Sequence, residues 1–229
     1  VQVPTAAIYA SAPLPEAAHA IAATGLMTTD KGWHGAAAGL DRLAEIVPGC
    51  EFYGGEESLS AEQVLEVAAQ AALVHVAAPG FLDPDVPALS PLFVGRALSE
   101  TESILPITAF ASADFQPQLV VLDGMSAEPG RVGTDGEHSN PVAPLHLSGA
   151  RTVIATAWRS EPQASATLFG FFYEALREMP VPSAMAEAKR RVRSTPPTSH
   201  PFFWAGPIVS GDPTTSLHDL AASGSAPEA

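Results

Sequence analysis

The sequence predicts an α/β domain on a mostly parallel central sheet, with helices on both faces. Three observations predict it. Continuously apolar runs such as Leu119-Val120-Val121-Leu122 and Thr152-Val153-Ile154-Ala155 suit strands covered on both faces. Such runs alternate with stretches of helical period, which implies parallel strands joined by right-handed crossovers. The chain has 229 residues, 46% of them apolar, enough for one domain with a sizeable core.

The elements follow in order. Ala6–Ser11 is the first β-like run and Glu51–Tyr53 the second. Ser60 and Gln63 form a capping box, with Leu59 and Val64 at the staple positions. Leu65, Ala68, Ala69 and Ala72 continue it as a helical stripe. Ala72–Ala77, Leu92–Val94, Gln118–Leu122 and Thr152–Ala157 read as strands. Ser160 and Gln163 repeat the capping signature before Leu168, Phe169, Phe172 and Leu176. Ser183 caps a further helix through Met185, Ala188 and Val192, stopped by Pro196-Pro197. Gly206–Ser210 is the last strand, and the small polar residues 221–229 read as a frayed end. In sheets of this kind ligands sit beyond the carboxyl ends of the strands, so function is sought there.

Acidic residues outnumber basic ones 25 to 11, for a net charge of −14. Such a surface repels phosphate backbones and anionic lipid, so neither nucleic acid nor membrane is an expected partner. No apolar run approaches the about 18 residues of a membrane span, and no signal peptide is visible. The single Cys50 excludes an internal disulfide and fits a reducing compartment, so a cytoplasmic location is expected. The first residue is Val1 rather than Met, which fits either a processed chain or a piece of a longer multidomain one. Abundant Ala and scarce Lys fit a GC-rich, bacterial genome.

Two strand ends stand out: Leu73-Val74-His75-Val76-Ala77-Ala78-Pro79-Gly80 and Leu119-Val120-Val121-Leu122-Asp123-Gly124-Met125-Ser126. Gly149-Ala150-Arg151-Thr152-Val153-Ile154-Ala155-Thr156-Ala157-Trp158 and Phe172-Tyr173 follow. The last segment is His200-Pro201-Phe202-Phe203-Trp204-Ala205-Gly206-Pro207-Ile208-Val209-Ser210-Gly211. In this order and spacing they resemble the CHAT domain, a family of the caspase–separase clan of cysteine peptidases. The resemblance is good over residues 40–213 and weak before that. It implies a caspase-like sandwich over residues 1–213, with 214–229 as a flexible tail.

The resemblance also implies a His–Cys dyad at two strand ends. In active members the first strand ends in His-Gly, and that His is the base. The second ends in small residues followed by the nucleophilic Cys. Here Pro79 stands before Gly80, and Met125 stands where the Cys would be. A thioether cannot ionise and proline has no proton to exchange, so the chemistry loses both partners. A slip of one residue would make Ser126 a nucleophile, but it would still need a base. His75 lies four residues before Pro79, roughly 13 Å at about 3.3 Å per residue, against a hydrogen-bond reach of about 3 Å. It reads as a core histidine, and Cys50 as a small buried apolar residue near a different strand.

The remaining candidates belong to a vestigial cleft: His75, Gly80, Asp123, Gly124, Ser126 and Trp158, with Asp135 and Glu137 in the following loop. In relatives an acidic residue near that loop helps recognise a basic substrate residue; a solvated acidic loop is the plainer reading. His138 and His146 lack metal-ligand spacing, so no metal is expected, and no cofactor. Lys189, Arg190, Arg191 and Arg193 read as the solvated last turn of a helix, and Trp158 and Trp204 chiefly as core. The expected function is that of a pseudo-peptidase, a binding, scaffold or regulatory module. Its expected partner is a protein or peptide, with a basic one among the options. The rivals are a hydrolase using Ser126 and a homomeric structural domain with a dead cleft.

Overall fold

The structure, a computed structural model, describes residues 23–27, 37–47, 50–54, 60–80, 89–94, 104–112, 117–126, 142–158 and 161–218. Among these residues one sheet holds eight strands. They are β1 (Ala23–Met27), β2 (Glu51–Gly54), β3 (Leu73–Gly80), β4 (Pro91–Phe93), β5 (Ile104–Pro106), β6 (Leu119–Ser126), β7 (Thr152–Thr156) and β8 (Pro207–Gly211). The main order is β2-β1-β3-β6-β7-β8. The first five strands of that order run parallel, and β8 closes one side antiparallel to β7. A short antiparallel ribbon, β4 with β5, joins the far end of β3 where Gly80 pairs with Leu92.

The apolar runs are buried on both faces because alternate residues feed two cores. Leu73, Ala77, Leu119, Val121 and Ile154 pack with helices α1 (Ala37–Ile46), α4 (Pro162–Leu176) and α5 (Val181–Arg193). Val74, Val76, Ala78, Val120, Leu122, Val153 and Ala155 pack on the other side. There they meet helix α2 (Ala61–Ala69), the β4–β5 ribbon, the short helix Ile107–Ser112 and helix α3 (Ala143–Leu147). Phe169, Phe172 and Tyr173, all fully buried, make α4 the main filler of the first core.

The capping box of α2 is present: the Gln63 amide N–H donates to Ser60 Oγ at 3.2 Å, and the Ser60 N–H to Gln63 Oε1 at 2.9 Å. Its core face is Val64 and Ala68, with Leu65 half-buried beside them and Ala72 already outside the helix. Two expected caps are corrected. The N-cap of α4 is Glu161, not Ser160, and its carboxylate accepts from the Gln163 and Ala164 N–H groups at 3.1 and 2.7 Å. Pro162 is preset for the first helical position, so the cap falls on the residue before it, where negative charge suits the helix dipole. Helix α5 starts at Val181, ahead of Ser183, because the Thr215 carbonyl accepts the Val181 N–H at 2.8 Å. A distant backbone group thus does the capping.

The sequence reading missed β1, which lies between β2 and β3 as an interior strand. It also missed α1, β5 and α3. The run Ala6–Ser11 lies outside the described residues, as do 219–229 of the expected tail. Thr215, within that tail, is tied to the body through Val181. No helix among the described residues is long and apolar enough to cross a membrane.

Candidate functional site

The carboxyl ends of β3 and β6 are neighbours. Their ladder runs in step from Leu73 opposite Leu119 to Ala77 opposite Asp123. It then shifts, so that Gly80 lies opposite Met125. The extra residue falls in the Ala78-Pro79 stretch of β3. A proline offers no N–H to a ladder and is accommodated at such bulges. Pro79 and Met125, placed here by their backbones, therefore sit at the ends of adjacent parallel strands, about 4.8 Å apart in the pairing direction.

On its other side β6 also leaves the ladder. Leu122 is opposite Ala155, but Thr156, the next residue of β7, is opposite Ser126. Asp123, Gly124 and Met125 are thus extra, and Gly124 takes them through a turn with φ of 99°. That backbone conformation is strained for any residue with a side chain.

Beneath this end, on the α4 side, lie two buried polar pairs. His75 Nδ1 is 2.6 Å from the Tyr173 hydroxyl, and the edge-on Phe169 ring is 5.1 Å away. His75 Nε2 is buried with no hydrogen-bond partner among the described residues. Burial pushes the imidazole pKa down to about 3, so it is neutral at physiological pH and shielded from water. Val121, its register partner, lies four residues before Met125, roughly 13 Å along the strand.

Asp123 is 2% exposed and accepts a hydrogen bond from Ser165 Oγ at 2.6 Å. Burial raises its pKa to about 6, against the opposing pull of that bond. The Tyr173 hydroxyl is held well above its ordinary pKa, first by burial and then by Cys50 and Asp123. Ser165, Phe169 and Tyr173 recur every fourth residue, so one face of α4 presents all three to the sheet. Sequence reasoning did not single out Ser165 or Tyr173 as partners; two polar residues in that apolar stripe were the available signal.

Cys50 is half-buried against the core shared with α4. Thr24 pairs with both Glu51 and Val74, which sets Cys50 level with Leu73 at the amino end of β3. The thiol-bearing residue is therefore roughly 20 Å along the strand direction from the Gly80 end, at about 3.3 Å per residue. Trp158 follows β7 at the carboxyl end. Its indole N–H donates to the Phe202 carbonyl at 3.0 Å, and a Cβ on Gly206 would lie 3.3 Å from its ring. The ring thereby fastens the segment before β8 to the strand end.

His146 is buried in α3: Nδ1–H donates to the Ala150 carbonyl at 2.8 Å, and Nε2 accepts from Ser210 Oγ at 3.1 Å. It is a cross-link between elements. Among the described residues no three His, Cys, Asp or Glu side chains are grouped to hold a metal. The expected solvated basic face is corrected at Lys189, which is tucked under β8 and donates to the Pro207 and Ala205 carbonyls at 2.5 and 3.4 Å. Arg190 and Arg191 share Glu187, and Arg191 also reaches Glu174 and lies 5.4 Å over the Phe171 ring. Asp135, Glu137 and His138 lie outside the described residues.

A family model described as the CHAT domain matches residues 10–212. Among solved structures the chain is similar to separase of Saccharomyces cerevisiae in a separase–securin complex. The TM-score is 0.59 at 12% identity, over 87% of this chain and 12% of that one. It is also similar to the Arg-specific cysteine proteinase gingipain R of Porphyromonas gingivalis. There the TM-score is 0.53 at 10% identity, over 87% of this chain and 50% of that one. Likenesses at these identities show a shared fold, the caspase-like α/β sandwich, and the chain spans half or less of either protein. No curated protein matches it in sequence.

Proposed function

This chain belongs to the CHAT domain family of the caspase-like peptidase clan, and on that premise we propose that it is a pseudo-peptidase, a protein-binding or regulatory module that has given up peptide cleavage. One observation carries the reading. The two strand ends where the family resemblance puts base and nucleophile are occupied by Pro79 and Met125, on adjacent strands, Pro79 one residue before the Gly80 that pairs with Met125. Neither can exchange a proton at physiological pH.

The surroundings support the same reading. Cys50, the only thiol in the chain, lies at the opposite end of the sheet. His75 is neutral, buried and committed to Tyr173. Ser126, the alternative nucleophile, lies opposite Thr156 in the ladder, and His75, the histidine of β3, is level with Val121, five residues earlier.

The partner we favour is a basic peptide or protein segment. Residues 55–60, 81–90 and 127–141 continue from the carboxyl ends of β2, β3 and β6. They carry Glu56, Glu57, Asp83, Asp85, Glu128, Asp135 and Glu137 against Arg131 alone. Segments with such an excess of negative charge attract cationic ligands. The separase match is to a complex with a protein, securin, and covers a small part of the separase chain, which fits a module working within a larger assembly. Two measurements test this. Peptides with Lys or Arg at the cleavage site are incubated with the protein, and their binding is followed by fluorescence polarisation at low and high salt. Salt-sensitive binding without turnover is expected. Turnover abolished by substituting one residue of the strand ends would sink the proposal.

A further inference from the structure

Asp123 occupies an unusual place in β6. Up to Leu122 the strand is clamped on both sides, by β3 and by β7. From Asp123 to Met125 the β7 ladder is missing, while on the β3 side Asp123 still pairs with Ala77 and, across a one-residue shift, Met125 with Gly80. Gly124, with φ of 99°, supplies a swivel. On the side left without β7 partners, the Asp123 side chain adds a tie to the body, buried against α4 with Ser165 Oγ as its donor. A neutral carboxyl group sits easily in such a site, whereas a carboxylate there lacks the donors it would find in water.

We propose that Asp123 is a proton-operated latch on the carboxyl end of β6: with its carboxyl group neutral it holds Gly124–Ser126 in the sheet, and on ionisation it releases them.

The direction follows from linkage. The released carboxyl group titrates at its ordinary 3.8, and the held one at about 6 because burial disfavours the charge. The held state therefore has its full advantage below 3.8, loses it progressively up to about pH 6, and changes little above. The gap of about two pH units corresponds to about a hundredfold rise in the released population. Among the described residues the neighbouring titratable groups are His75 from β3, Tyr173 from α4 and Cys50 ahead of β2. His75 titrates near 3, below the window, and Tyr173 well above it. From α1, Arg42 is engaged with Glu45 and Glu174 at the surface, and from α5, Lys189 is engaged with β8 carbonyls. The latch requires no particular ligand, so it stands whether or not the cleft binds a basic segment.

The test is amide hydrogen exchange of residues 124–126 between pH 4 and 7, each rate divided by that of an unstructured peptide of the same sequence. The normalised rate is expected to rise about a hundredfold and level off near pH 6. In Asp123→Asn it is expected to stay low and flat. A flat wild-type profile, or a rise retained in Asp123→Asn, overturns the latch. Should that variant fail to fold, the carboxyl carbon of Asp123 in the wild type gives the answer by NMR. A midpoint near 6 supports the proposal and one near 3.8 overturns it.

Discussion

His75 on β3 and Tyr173 on α4, 98 positions apart in the sequence, meet at 2.6 Å inside the main core. The bond supplies the imidazole with its one hydrogen-bond partner among the described residues, since Nε2 has none. Tyr173→Phe would leave both ring nitrogens unmatched in a dry site. The variant is expected to lose about 1–3 kcal/mol of unfolding free energy, the cost of an orphaned buried polar group. Urea denaturation at pH 7 measures this, and a change below about 0.5 kcal/mol would mean the bond does not hold in solution.

Ser165→Ala tests the other polar pair. Its hydroxyl favours the charged form of Asp123 and opposes the upward push of burial. Removing it raises the Asp123 pKa further above 3.8. The damage is therefore expected to be smallest near pH 4 and to grow towards pH 7, by on the order of 1 kcal/mol per unit of additional shift. Parallel denaturation curves at the two pH values give the difference directly. Equal losses at both would contradict it.

Two glycines make an opposed pair. Gly211 has φ of 110°, and a Cβ there would lie 2.1 Å from the Arg151 carbonyl oxygen and 3.0 Å from His146 Cε1. Gly211→Ala is expected to destabilise the protein by at least about 2 kcal/mol. Gly170, inside α4, has nothing within 4 Å of its would-be Cβ. Gly170→Ala is expected to stabilise by roughly 0.5–1 kcal/mol, as helix propensity alone requires. Thermal unfolding of both variants decides, and the same sign for both would refute the local geometry.

The equivalence of positions 79 and 125 to a catalytic pair can be tested by restoring it. In a Cys50→Ala background, Met125→Cys places a thiol at the end of β6, and Pro79→His adds an imidazole beside it. A neighbouring imidazole lowers a thiol pKa. Alkylation at pH 7 by iodoacetamide is expected to be about tenfold faster with both substitutions than with Met125→Cys alone, one pH unit of thiolate being worth that factor. Identical rates would show that the two side chains do not face each other.

Much of this arrangement could be read from the sequence where information is local. The runs behind β6 and β7 are continuously apolar, and the expected bounds of β3, β6, β7 and β8 lie within a few residues of those observed. Strand β1, Ala23-Thr24-Gly25-Leu26-Met27, has small residues and a glycine where β-branched ones would announce a strand. It is a strand because β2 and β3 flank it. The start of α5 was misjudged because its cap comes from Thr215, beyond the end of β8. The polar pairs under the strand ends were invisible for the same reason: His75 and Asp123 meet their partners only through the crossover that lays α4 on the sheet. Pro79 and Met125 stood out because a family pattern, rather than periodicity, says what should occupy those places.

The tucked Lys189 has a consequence at the margin of the sheet. Ala157 bonds to Gly206, and Asp212 to Arg151, across the β7–β8 boundary. Antiparallel alternation then turns the backbone groups of Pro207, Val209 and Gly211 outward. Pro207 has no N–H to offer a visiting strand, and its carbonyl is already claimed by the Lys189 ammonium group. The other two outward positions, Val209 and Gly211, are themselves buried, so no run of exposed backbone groups is left to template the growth of another chain. This side of the apolar sheet is thus hemmed by one proline and one inward-folded lysine, and is expected to stay unextended in concentrated solution.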